Sequence, residues 1–316
     1  MAETKNFFRD VKVERFLLAT WTADKVQTIG ADVPIHKAAE ILAESGIQAA
    51  PVVDKEHGFV GMLHARDMVV YVKKRAPEFL LKDENKEVTW DEYLKETPHL
   101  GYEPVGQLFG EEGVVKLKRH YVCCSPHDEL LKPAAFLAGG VRKVLVQSGE
   151  GDITHIVTAT ALVKYMQKHL DHACFEGVRG KTLQDAGFVQ SSVVSCTDAA
   201  TLASAVLTCH ERNVAGLCIV NSDGVAVANF SDKDVTCLTT SGFPLLRLPV
   251  VQYLKEHHEE SCKVVGVTPS TTFEDALAKL VETKHHRLWI LDDGKPVGCF
   301  SPSDVIRHSL KLLKEA

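Results

Sequence analysis

A single unit recurs along this chain: an amphipathic helix, a short apolar strand, a polar turn, a second short strand, and the opening of another helix. Its clearest copy lies near the C-terminal end. Phe273, Ala276, Leu277, Leu280 and Val281 fall at helical spacing and predict one apolar face, with Thr271 or Thr272 as its cap. His286 and Arg287 then precede Leu288-Trp289-Ile290-Leu291, a run short enough to read as a buried strand. Asp292 to Pro296 is turn chemistry, and Val297 to Phe300 forms a second strand. Ser301-Pro302-Ser303-Asp304 opens the next helix: a hydroxyl at the cap, proline in the first turn, and an acid three residues after the cap.

Three further copies follow the same order. In the first, Ile35, Ala38, Ala39 and Leu42 form the helix face and Gly46 ends it; Ala49 to Val53 and Phe59 to Leu63 are strands, and His64-Ala65-Arg66-Asp67 opens the last helix. The second begins near Lys116. It has strands at Arg142 to Gln147 and Ile153 to Val157, and a helix opening at Thr158 to Ala161; Pro133 is expected to disturb its first helix. The third has a helix at Thr197 to Thr208, strands at Val214 to Val220 and Val225 to Phe230, and an opening at Ser231 to Asp234. The equivalent positions Asp67, Ala161, Asp234 and Asp304 are 94, 73 and 70 residues apart. Such units are too small to bury a core alone, so each should pair with a neighbour. The boundaries read as repeat one at 10–80, an insertion at 81–112 with a short helix near Thr89 to Leu94, repeat two at 113–175, repeat three at 180–242 and repeat four at 245–316. Two tandem pairs would give modules 1–175 and 176–316.

Composition narrows the function. The 316 residues carry a net charge of -6, which argues against a general binder of nucleic acid or membrane surface; any anion site must be built from locally placed cations. No apolar run approaches a membrane span, and the start MAETKNFFRD does not read as a secretory signal. Nine cysteines, an odd number scattered through apolar segments, fit reduced thiols in cytosol or nucleus. No Walker loop, nucleophile elbow or HExxH motif stands out, so no enzyme and no metal or redox cofactor is expected. Cys123-Cys124, His169 to Cys174, and His257-His258 with Cys262 match no common zinc framework.

The openings GMLHARD, ANFSDKD and GCFSPSD resemble the signature of cystathionine-beta-synthase (CBS) domains. With SGIQAAPVVD, VTWDEYL and KHHRLWILD, and with four copies in order, the chain is similar to gamma subunits of AMP-activated protein kinases. The resemblance implies an α/β fold of α+β type: four tandem CBS repeats paired into two Bateman modules in a flattened disc. It also implies a non-catalytic regulatory subunit that binds AMP, ADP or ATP between paired repeats. Its partners would be kinase catalytic (alpha-type) and scaffold (beta-type) subunits, with neither nucleic acid nor membrane. By the same resemblance Asp67, Asp234 and Asp304 would hold ribose hydroxyls, while His286, Arg287, Ser301, Ser303 and Arg142 would hold phosphates.

Several residues depart from that pattern. Ala161 replaces the acid of repeat two, Val141 stands where the His of the basic pair belongs, Gln48 replaces an Arg, Thr160 a Lys, and Ala215 a Ser. Binding is therefore expected mainly at Asp234 and Asp304. Two alternatives stay open: a scaffold subunit that has lost most ligand binding, and a CBS regulator of a non-kinase partner. Taken one at a time, each Ser-x-x-Asp can be no more than a helix cap, and His286 an ordinary core histidine.

Overall fold

The computed structural model describes residues 7–21, 26–56, 58–75, 99, 101–110, 122–190, 192–235, 240–283 and 286–315. The predicted short helix near Thr89 and the start of repeat two near Lys116 lie outside these residues. Ahead of the repeats stand α1 (Phe7–Asp10) and α2 (Val13–Thr20). Repeat one is β1 (Ile29–Gly30), α3 (Ile35–Glu44), β2 (Ala49–Asp54), β3 (Gly58–His64) and α4 (Ala65–Arg75). Repeat two is β4 (Cys123–Cys124), α5 (Leu131–Ala138), β5 (Lys143–Gln147), β6 (Ile153–Thr158) and α6 (Ala159–Gln167). Repeat three is β7 (Ser195–Thr197), α7 (Leu202–Glu211), β8 (Gly216–Val220) and β9 (Ala226–Ser231), followed by a 3₁₀ turn at Asp232–Val235 and α8 (Val250–His257). Repeat four is β10 (Gly266–Val267), α9 (Phe273–Glu282), β11 (Leu288–Asp292), β12 (Lys295–Phe300) and α10 (Pro302–Glu315).

All four repeats build the same three-stranded sheet. The first two strands are parallel and joined by a helix, as a parallel crossover requires; the second and third form an antiparallel hairpin. A bulge falls at the same place in every hairpin: after Val52, Val146, Ile219 and Ile290. The motif glycines of repeats one and four have a packing reason. A Cβ on Gly61 would lie 2.3 Å from the Phe109 ring, and one on Gly298 would lie 2.6 Å from the Phe188 carbonyl oxygen. In both, a segment of chain lies close across the last strand where only hydrogen fits.

Local chemistry explains the helix starts. Thr158, Thr201 and Thr272 each accept an N–H from three residues on and cap α6, α7 and α9. The third repeat's helix therefore begins at Leu202, not at Thr197; Thr197 ends β7, and the turn Asp198 to Ala200 separates them. Pro133 sits in the first turn of α5, where its missing N–H would have no partner anyway, so it disturbs nothing. Gly46 ends α3 with φ +62°, a conformation that favours glycine. The predicted helix faces are buried: Ile35, Ala38, Ala39 and Leu42 on α3, and Phe273, Ala276, Leu277 and Leu280 on α9. Full burial of each large side chain contributes about 1.5–3 kcal/mol.

The chain divides into two compact units that combine alternate repeats. One holds residues 1–26, 121–193 and 265–316, hence repeats two and four; the other holds 27–120 and 194–264, hence repeats one and three. Each has its own hydrophobic core. In the first unit α10 packs on α5 and α6, and Phe7 of α1 packs edge-on against Phe175. In the second α4 packs on α7. The consecutive grouping into modules 1–175 and 176–316 is a separate matter and belongs to the proposal below.

A buried ion pair ties repeat one to repeat three. Arg66 on α4 donates from Nη1 to the Val214 carbonyl at 3.1 Å and stands 3.6 Å from Asp232 Oδ2. Removing one partner of such a pair leaves a buried charge without compensation. Arg66→Met should lower stability by roughly 3–5 kcal/mol in denaturant titrations. The double variant Arg66→Met/Asp232→Leu should recover much of that loss.

Candidate functional site

The strand register decides which residues meet at each helix start. In repeat four Leu288 pairs with Phe300, so the preceding Arg287 lies opposite Ser301. Ser301 leads into α10, and its hydroxyl donates to Asp304 Oδ2 at 2.5 Å while its backbone N–H reaches the same oxygen at 3.3 Å. Asp304 N–H in turn points to Ser301 Oγ at 3.4 Å, which completes a reciprocal capping arrangement. Arg287 is buried with its guanidinium carbon 5.8 Å from the Trp289 ring centroid. Burial pushes the Cys299 thiol up to about 12, the Arg287 charge pulls against that, and the Asp304 charge adds to it. Arg287 and Asp304 thus act on the same buried point from either side.

Next to this cluster lies a cavity of about 110 Å³. Thr160, Val163 and Lys164 of α6 line one side; Leu280, Val281, His286 and Pro302 line the other. His286 Nδ1 is 3.4 Å from Thr160 Oγ1. Ser303 is half-buried in the first turn of α10. The structure therefore gathers Arg287, Ser301 and Asp304 at one helix start and sets His286 beside them, facing a helix of repeat two.

The same register can be read in the other repeats. Lys143 pairs with Thr158, Ala49 with His64, and Gly216 with Ser231. Lys143 therefore occupies the place of Arg287, and Arg142 that of His286. This is one residue along from the sequence reading, which set Val141 in the His place. Repeats one and three hold the acid, Asp67 or Asp234, with Ala49 or Gly216 where the cation stands. Repeat two holds the cation, with Ala161 where the acid stands. Among the described residues, repeat four combines both.

All three acids are engaged with their own helix starts. Asp67 Oδ2 accepts the His64 N–H at 2.8 Å, with His64 Nδ1 at 3.5 Å. Asp234 Oδ2 accepts the Ser231 N–H at 2.7 Å and the Ser231 hydroxyl at 3.0 Å. Its Oδ1 accepts the hydroxyl of Ser261 at 2.7 Å. Around it, the Tyr253 hydroxyl donates to the Asp234 carbonyl at 2.6 Å and lies 3.2 Å from His258 Nε2. This is not a nucleophilic triad, because the serine donates to the aspartate instead of the histidine. Asp304 Oδ1 accepts from Arg307 Nη1 at 2.7 Å, and Arg307 Nε also donates to the Ala138 carbonyl. Sequence reasoning missed Ser261 and Arg307, since partners 27 residues away or across an interface leave no local signal. Lys143 could have been found by counting back from the helix opening. Among the described residues no three His, Cys, Asp or Glu side chains gather as a metal site, and no helix is long and apolar enough to cross a membrane.

Comparison with known proteins places this geometry in context. The CBS domain family model matches residues 20–74 and 260–311. Protein SDS23 of Podospora anserina is 24% identical over 191 residues, 57% of this chain and 37% of that protein. Protein SDS23 of Eremothecium gossypii is 25% identical over 293 residues, 85% of this chain and 58% of its own length. The chain thus spans between about a third and three fifths of the length of the curated relatives it matches. A Methanocaldococcus jannaschii protein proposed as an archaeal homolog of g-AMPK superposes with TM-score 0.70 at 14% identity, covering 94% of this chain and 99% of that one. An uncharacterized conserved protein from Pyrococcus horikoshii superposes with TM-score 0.50 at 16% identity, over 95% and 100% of the two chains. The chain carries CBS domains, and its fold is that of tandem CBS repeats.

Asp67 supplies a pH test of its capping role. Burial pushes its carboxyl up, but hydrogen bonding and charge from His64, with Arg66, outweigh burial and hold it below the usual value. A depressed carboxyl stabilises the fold above its unfolded value of about 3.9 and loses that contribution as pH falls through the lower folded value. Stability measured against pH should drop on that acid limb, and Asp67→Asn should flatten it while lowering stability at neutral pH by about 1 kcal/mol.

Proposed function

We propose that this chain, with CBS domains at residues 20–74 and 260–311, is a non-catalytic regulatory subunit that binds an adenine nucleotide at repeat four and passes the ligand state to a partner protein. One observation carries the reading: Arg287, Ser301 and Asp304 meet at the start of α10, with His286 and a cavity alongside. The chemistry suits the ligand. Each carboxylate oxygen has two lone-pair sites, so Asp304 can keep its cap and still accept vicinal ribose hydroxyls. Arg287 offers a planar fork to phosphate, helped by Ser301, Ser303, His286 and the free N–H groups of a fourteen-residue helix. AMP, ADP and ATP would compete there. Asp234 and Asp67 are weaker ribose candidates, and Arg142 contributes at repeat two. The grouping into modules 1–175 and 176–316, and a partner made of kinase alpha-type and beta-type subunits, rest on the sequence resemblance; the curated relatives are SDS23 proteins. Signalling requires unequal partner contacts in the two liganded states.

A second reading has its own support. Asp234 already receives the Ser261 hydroxyl, and Asp304 already receives Arg307. A scaffold that kept the fold and filled its own clefts would look like this.

Calorimetry with AMP and ATP separates the two. Wild type should bind, and Asp304→Asn, which keeps the side-chain shape, should weaken binding by roughly tenfold or more, the value of a hydrogen bond to a charged group. Ser261→Ala should strengthen any binding that depends on Asp234, because a ligand hydroxyl no longer has to displace the serine. A wild-type chain that takes neither nucleotide leaves the scaffold.

A further inference from the structure

Repeat two keeps half of the arrangement found in repeat four. Lys143 opens β5 directly opposite Thr158, the N-cap of α6. Opposed residues of an antiparallel pair project from the same face, so the lysine stem and the cap hydroxyl lie side by side. Helix α6 adds the positive end of its dipole and its first N–H groups. Arg142 precedes Lys143 in the chain and adds a second cation. Where the other repeats place a carboxylate, Ala161 stands.

Positive features therefore meet here without a counterion. Burial, then the Arg142 charge, pushes the Lys143 ammonium down to about 8, and no carboxylate is among the groups acting on it. Asp and Glu outnumber Lys and Arg by 42 to 36 in this chain, so an acid was available in composition and is absent in place. A desolvated cation next to another cation and a helix start is unfavourable unless an anion joins them. Ala161 offers nothing to a ribose hydroxyl, whereas the ammonium and the helix N–H groups are donors only.

We propose that repeat two binds a small phosphate-type anion between Lys143 and the start of α6, with Arg142 as the second cation and with no requirement for a ribose. The site does not depend on nucleotide binding at repeat four. Its occupancy should fall as pH rises through the lysine's titration, because only the ammonium attracts the anion. By linkage, a bound anion raises the pH at which Lys143 loses its proton.

Lysine ¹³Cε NMR on the full chain tests this, with chloride, inorganic phosphate, AMP or adenosine in the buffer. Lys143→Arg identifies the resonance while keeping the charge. The midpoint of that resonance should lie near 8 in chloride. Inorganic phosphate should move it up by about one unit, a tenfold preference for the charged form. The shift should persist in Asp304→Asn, and adenosine should not produce it. Phosphate that leaves the midpoint where it was overturns the proposal. So does an equal shift at every surface lysine. A shift seen with AMP alone and lost in Asp304→Asn assigns Lys143 to the nucleotide cleft and also overturns a separate site. Failure of AMP to bind anywhere, with the phosphate shift intact, removes the nucleotide reading and leaves this one standing.

Discussion

In three of the four repeats one hydrogen bond joins the last strand to the helix that follows it. The backbone N–H of His64, Ser231 or Ser301 donates to the carboxylate three residues on, at 2.8, 2.7 and 3.3 Å. The bond turns the chain sharply from extended to helical backbone and satisfies a donor that would otherwise be orphaned. It also fixes the carboxylate at the mouth of the helix, across the hairpin from the residue that begins the second strand. Everything at the candidate site follows from that placement. An acid, a hydroxyl and a cation can meet there only if strand register and helix cap agree. In repeat two a threonine hydroxyl takes over the cap by accepting the Ala161 N–H, so the turn survives without the acid.

Because the cap is a structural necessity, stability and ligand binding draw on the same atoms. This explains why each acid has partners in the isolated chain and still remains a credible ligand group. A carboxylate that only capped its helix could be replaced by threonine, as in repeat two. One that also faces a cation across the hairpin, as Asp304 faces Arg287, is held more firmly than capping demands. Asp234 has instead drawn in Ser261 from a distant 3₁₀ turn, which makes repeat three a self-satisfied version of the same site.

The repeats also differ in how they share their cores. A single helix–sheet unit leaves one apolar helix face uncovered, and here the cover comes from the alternate repeat: α4 against α7, and α10 against α5 and α6. The buried Arg66–Asp232 pair lies where the helix starts of repeats one and three approach each other. It is a specificity contact more than a stabilising one, since two charges buried together gain little over apolar packing.

Sequence by itself determined the number of repeats, the order of their elements, the helix faces and the residues that open each helix. These depend on local periodicity, caps and turns, whose physics lies within a few residues. Only the tertiary structure decided that the compact units join alternate repeats, that Ser261 and Arg307 hold Asp234 and Asp304, and that Lys143 stands in the place of Arg287. Register is set by which backbone groups pair across a hairpin, and packing by which apolar faces meet. Neither leaves a mark at any single position in the chain, because both are properties of segments brought together from far apart.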